Sequence, residues 1–195
     1  MQIGLGIVVI AADGDEVGRV RRLIVDPASN TLSHIVVAGP SLAGSAVAVP
    51  VWAVARAEDG EVSLEVDGER VSRFPRYADH PRAGDSATAA ASLGHEPGEF
   101  PSLFPEDGSL PAGAVDLGGD TEVRCGQQTV GTLSAVFADD YTAEVAMLVV
   151  RLRGEERSVD VPMTWARRVR RRELSLECSP GDVESLPDTV WQPNA

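Results

Sequence analysis

The chain contains no lysine. All 17 of its basic residues are arginine, set against 30 Asp and Glu, for a formal net charge of -13 and a pI near 4.6. That excess opposes wholesale attachment to nucleic acid or to an anionic membrane. It also leaves every basic contact to a planar guanidinium suited to carboxylates and phosphates. Only two cysteines occur, Cys125 and Cys178, both in the second half. Two cannot build a disulfide framework, and we read them as buried, reduced thiols on strands in a reducing cytoplasm rather than as a redox pair. Whether they meet is not legible from their spacing. Histidine is nearly as scarce: His80 and His95 fall in a low-complexity connection, and His34 stands alone on a predicted strand. This distribution excludes a Cys/His zinc cluster and supplies no base for a nucleophile.

Long apolar runs are missing as well. The longest near the start, IVVIAA at residues 7–12, is far short of the ~20 residues a membrane helix needs. MQIGLG lacks the positive region of a secretory signal. The glycine motifs are incomplete. GLG at 4–6 precedes a strand and has no third glycine, and GPSLAGS at 39–45 lacks the Gly-Lys-Ser/Thr ending of a phosphate loop. Asp139-Asp140 reads as a turn. We therefore expect no catalytic residue, no cofactor and no metal, and hence no enzyme.

What is present is a repeat. EVGRVRRLIVDP at 16–27 is echoed by TVGTLSAVFADD at 129–140. A shift of 113 places Val17, Gly18, Asp26, Val36 and Val37 on Val130, Gly131, Asp139, Val149 and Val150. Beyond the 39–48 segment the shift is 112, and Val49-Pro50, Glu61, Leu64 and Pro75 fall on Val161-Pro162, Glu173, Leu176 and Pro187. The change lies where a connection is expected, and connections tolerate length differences. The chain is an internal duplication, and such self-similarity sets the fold reading.

In the first copy, strands are expected over residues 7–12, 17–25, 32–38, 46–49, 53–57 and 61–66, separated by Asp-Gly turns and by DPASN. Each copy then ends in a short helix. In the second, Ser179 is the expected N-cap, with Pro180 at the first helical position and Asp182 in the first turn. Phe74 and Leu186 are expected to tuck beneath the strands. Isolated Gly18 and Gly131 mark a bend or a close backbone approach. Five or six short strands in about 75 residues imply a small β-barrel. The fold class expected is all-β with minor α, two such barrels in tandem: 1–77 and the more divergent 114–195, joined by an Ala/Gly/Pro-rich linker at 78–113.

The ordered series DGDEVGRV, LIVDPASNTLSHIVV, AVAVPVWAV, a DG hairpin and a terminal helix resembles the PRC-barrel family over residues 5–77. The second copy resembles it less closely, with CGQQTVG in place of the DG turn and DDYTAE in place of DPASN. The resemblance implies small β-barrel binding modules without a catalytic motif. Such barrels form the cytoplasmic part of the photosynthetic reaction-centre H subunit and the C-terminal domain of a ribosome maturation factor. Here the first strand is expected almost at Met1, without the membrane helix of the one or the additional barrel of the other. The function implied is a protein-interaction scaffold or adaptor. The alternatives are an RNA- or ribosome-associated factor, or a soluble relative of the H subunit.

Two features are candidates for partner contact. RRVRRRE at 167–173 is the densest basic run; Arg170, Arg171 and Arg172 fall on Glu58, Asp59 and Gly60 of the first copy, so one hairpin tip is basic and the other acidic. With Arg167 and Arg168, this tip could bind phosphate, an acidic partner or its own acidic twin. In the linker, Phe100, Leu103 and Phe104 form an apolar cluster, FPSLF, read as packing into a groove in preference to standing exposed. A barrel of about 75 residues has a marginal core, so the copies are expected to shelter one another, or to dimerise through their flanks.

Overall fold

A computed structural model describes residues 1–42, 45–58, 60–77, 113–170 and 172–189. The first half contains strands β1 (Gln2–Gly4), β2 (Val8–Ile10), β3 (Glu16–Asp26), β4 (Thr31–Ala38), β5 (Ala46–Pro50), β6 (Val54–Glu58) and β7 (Glu61–Leu64). Helix α1 (Gly68–Ser72) and a two-residue strand β8 (Arg76–Tyr77) complete it. The second half runs β9 (Val115–Gly118), β10 (Glu122–Cys125), β11 (Gln128–Ala138), β12 (Val145–Leu152), β13 (Ser158–Pro162), β14 (Ala166–Arg170), β15 (Glu173–Leu176) and α2 (Pro180–Glu184). The fold is all-β with minor α, as expected.

The strands form two sheets in the same order: β6-β7-β2-β3-β4-β5-β8 and β14-β15-β10-β11-β12-β13. In each, one pair is parallel, β2 with β7 and β10 with β15, and the other pairs are antiparallel. Between β5 and β6 the chain turns on a 3-10 segment, Val51–Ala53, and between β13 and β14 on Met163–Trp165. Among the described residues no ladder joins β5 to β6 or β13 to β14.

Each sheet also holds a strand from the other half. β1 pairs antiparallel with β11, setting Ile3 opposite Val136, and β9 pairs antiparallel with β3, setting Leu117 opposite Leu23. Leu23 and Val136 are repeat equivalents, so the exchange is reciprocal. The physical reason lies in the length of β3 and β11. Each is 11 residues long, and β2 or β10 covers only the first part of one edge. The remaining edge would expose unpaired N–H and C=O groups, a liability that the borrowed strand removes. Ile3, Leu23, Leu117 and Val136 are fully buried, and one contiguous core contains residues of both halves. The expectation of mutual shelter is met through shared strands, a closer union than flank-to-flank packing.

The hairpins β3–β4 and β11–β12 meet through reciprocal backbone hydrogen bonds. Leu32 N donates to Ala143 O at 2.9 Å, and Val145 N donates to Asn30 O at 2.8 Å. Asn30 and Ala143 occupy the same left-handed conformation, at φ 56° and 55°. The preceding Asp of each hairpin anchors its turn: Asp26 accepts from Ala28 N, and Asp139 from Tyr141 N and Thr142 N.

The duplicated glycines mark backbone contacts. A Cβ on Gly18 would lie 2.5 Å from Ala38 O, and one on Gly131 would lie 2.2 Å from Arg151 O. Both stand where the ladder slips by one residue, opposite Val9 and Val123. The sequence reading of a close approach at a bend is correct, and its cause is a β-bulge.

Both helices follow their sequence signals. Asp67 caps α1 by accepting from Arg70 N, and Ser179 caps α2 in a reciprocal box with Asp182, with Pro180 leading the helix. Val71 and Val183 are their buried anchors, and Phe74 and Leu186 pack partly buried against the core. One local expectation needs correction. Cys178 is not on a strand but in the bend after β15, two residues beyond its end.

Candidate interaction surface

Strand β14 is an edge of the second sheet, paired with β15. Arg167, Arg168 and Arg170 are exposed along it, and Arg172 is exposed at the tip. Arg167 donates to Glu177 at 2.9 Å, and Arg172 pairs with Asp120 at 3.0 Å. Arg168 and Arg170 have no ion pair among the described residues. Arg171 lies outside the described residues, as do Phe100, Leu103 and Phe104, so the structure does not bear on the FPSLF expectation. The acidic and basic tips do not pair with each other through Glu58, whose partner is Arg56. Arg172 has φ 62°, the left-handed conformation that its equivalent Gly60 adopts at φ 80°. A bulky residue held there is strained.

The Arg172–Asp120 pair continues into the seam between halves. Asp120 accepts from Arg22 at 3.2 Å, Arg22 lies 3.4 Å from Asp116, and Tyr77 donates its hydroxyl to Asp116 at 2.6 Å. Burial opposes the charge on Arg22, but Asp120 and Asp116 outweigh it, and the guanidinium is held charged more firmly than usual. Asp116 is 8% exposed. This row of alternating charges stitches β3 and β8 to β9 and to the second tip, and it runs from a largely buried end at Arg22 and Asp116, suited to structural positioning, to an exposed end at Asp120 and Arg172.

Residues of both halves line a cleft of about 430 Å³. Trp52 and the β6 residues Arg56 and Glu58 form one wall, and Asp140 and Tyr141 of the second-half hairpin form the other. Trp52 is fixed by an edge contact with Phe74 at 6.1 Å and by Arg70 6.0 Å from its ring. Tyr141 is 95% exposed, held up by Asp139, which accepts from its backbone N–H. Hydrogen bonds from Thr142 and Tyr141 hold the Asp139 carboxyl below its usual range. Asp139 thus anchors a turn, as the sequence suggested. Sequence reasoning missed Tyr141 and the cleft. The signal available was the aromatic residue in DDYTAE, where the first copy has Ala28.

His34 is 1% exposed on β4, between Ile24 and Pro50 of the neighbouring strands, a structural position. Among the described residues no group of three or more His, Cys, Asp or Glu is placed to hold a metal ion. No helix among them is long and apolar enough to cross a membrane. Cys125 and Cys178, 53 residues apart in sequence, touch: their sulfurs lie 2.8 Å apart. Neither a comparison with protein-family models nor one with curated proteins finds a match to this chain.

Proposed function

We propose that the chain is a non-enzymatic tandem PRC-barrel protein that acts in the cytoplasm as a protein-interaction scaffold or adaptor. The supporting observation is the reciprocal exchange of β1 and β9, which joins the two copies into one body with a composite surface at their seam. The seam sets the half-buried Trp52 and the exposed Tyr141 on one cleft, and aromatic residues beside a cleft are the usual anchors of protein interfaces. The test begins with crosslinking and affinity capture from the native host, and continues with titration of each recovered protein in purified form. A direct partner should bind Tyr141→Ala at least about tenfold more weakly than wild type, the scale of an interface anchor. Equal affinity for both would remove the seam from the interface.

A second reading, an RNA- or ribosome-associated factor, is favoured by Arg168 and Arg170, exposed on an edge strand without ion pairs among the described residues. It predicts co-sedimentation with ribosomal subunits that weakens with salt and is lost in the Arg168→Glu, Arg170→Glu double variant.

A further inference from the structure

We propose that Cys125 and Cys178 form a dithiol site that a small-molecule disulfide of the glutathione type oxidises to an intramolecular disulfide. The geometry is the first support. Cys125 ends β10, Cys178 follows β15, and the parallel pairing of these strands sets Cys125 against Leu176, bringing the sulfurs to 2.8 Å. A disulfide needs ~2.05 Å, a small further movement. Cys125 is buried and Cys178 partly exposed, which assigns their roles.

The duplication supplies an internal control. Val9 and Val123 both stand opposite a bulge glycine, so by strand pairing the counterparts of Cys125 and Cys178 are Ala11 and Val66, both buried, where Ala12 N donates to Val66 O at 2.9 Å. The fold therefore fills this junction without sulfur. In the first half the same junction is tied by Asp13, which accepts from Gly68 N at 3.0 Å at the start of α1. In the second half Pro180 stands at that position and has no N–H to give. The thiol pair lies where this tether is missing, one residue before the Ser179 cap of α2.

Cys178, the more accessible sulfur, loses its proton to solvent and attacks one sulfur of the oxidant. An S–S bond forms, the original one breaks, and one small thiolate departs. Cys125 then gives up its proton and attacks the Cys178 sulfur, displacing the second thiolate. The net change is two protein thiols and one disulfide to one protein disulfide and two small thiols. Burial, and then the neighbouring Cys178, push the Cys125 thiol up to about 12. It is thus the resolving partner and not the first attacker.

The test is intact-mass measurement on the full chain after equilibration in glutathione buffers of increasing oxidised fraction, with quenching by alkylation. Wild type should lose both alkylatable thiols together, become lighter by two hydrogens, carry no glutathione and run as a monomer without reductant. The Cys125→Ala variant, which copies Ala11, should retain one bound glutathione on Cys178. Two thiols still alkylatable at the oxidising limit, a persistent glutathione adduct on wild type, or a linkage between chains would each overturn the proposal.

Discussion

Where the first half places Ala11, Val66 and the Asp13–Gly68 hydrogen bond, the second places Cys125, Cys178 and Pro180. Where the first turns its last hairpin on Gly60, the second turns on Arg172. Where the first ends β3 in an Asp-Pro turn, the second raises Tyr141 into solvent. Yet the strand order, both bulges, the left-handed residues Asn30 and Ala143 and the two borrowed strands agree between copies. The two halves share a backbone plan, while their chemistry differs both in solvent, at Tyr141 and Arg172, and inside the core, where Cys125 takes the buried place of Ala11. Leu23 and Val136 each hold a strand of the other half, whereas Tyr141 stands in solvent and answers to its own turn.

The largest effect is expected at the shared strands. Ile3→Asp and Leu117→Asp each bury a charge in the common core and should destabilise the chain by about 4 kcal/mol or more. Because each residue belongs to one half and supports the other, urea unfolding followed in single-tryptophan variants retaining Trp52 or Trp165 should shift together. A displaced midpoint at one tryptophan only would mean that the halves fold independently.

Next come the bulges. Gly18→Ala and Gly131→Ala drive a methyl group into a carbonyl oxygen, and each should lower stability by about 2–3 kcal/mol in denaturant titration. Similar losses in the two would sharpen the equivalence of the copies. A neutral result at either would show that its strand can move away.

The tips should respond in the opposite direction. Arg172→Gly removes left-handed strain at the cost of an exposed ion pair, and should stabilise by about 0.5–1 kcal/mol. Gly60→Arg should destabilise by a similar amount. Thermal melting of both variants reads the difference.

The smallest expected effect is on pH dependence at the turns. The backbone N–H and side chain of Ser179 hold Asp182 below its ordinary range, Gly68 does the same for Asp13, and Thr142 and Tyr141 for Asp139. A carboxyl lowered in the folded state stabilises above its unfolded pKa of about 4, and that contribution is lost as pH falls through the folded value. Stability should therefore decline as pH drops below about 4, and Asp182→Asn should make that decline shallower. An unchanged slope would remove the α2 capping box from the acid response.

Much of this was legible in the residues. Alternating apolar positions in β3 and β11, Asp-Gly turns and the Ser179-Pro180 start of α2 are local signals, each decided by neighbours a few positions away. His34 was readable as lying on a strand, and its complete burial was not. The misplacement of Cys178 arose from extending β15 by two residues, an uncertainty that turns resolve only once α2 is capped. Tyr141 was missed because an aromatic residue in a turn has the same local pattern whether it folds inward or stands out. Of the candidate arginines, the structure separates Arg167 and Arg172, engaged by carboxylates, from Arg168 and Arg170.

The all-β class, the turns and the recurrence of one residue pattern could be read from the residues alone, because repetition and short-range periodicity are written along the chain. That β1 belongs with β11 and β9 with β3, and that two cysteines 53 residues apart touch, emerges once the chain is folded. Strands of three or four residues carry too little pattern to name a partner. Their pairing is selected by which distant edge remains open after the nearer strands have formed.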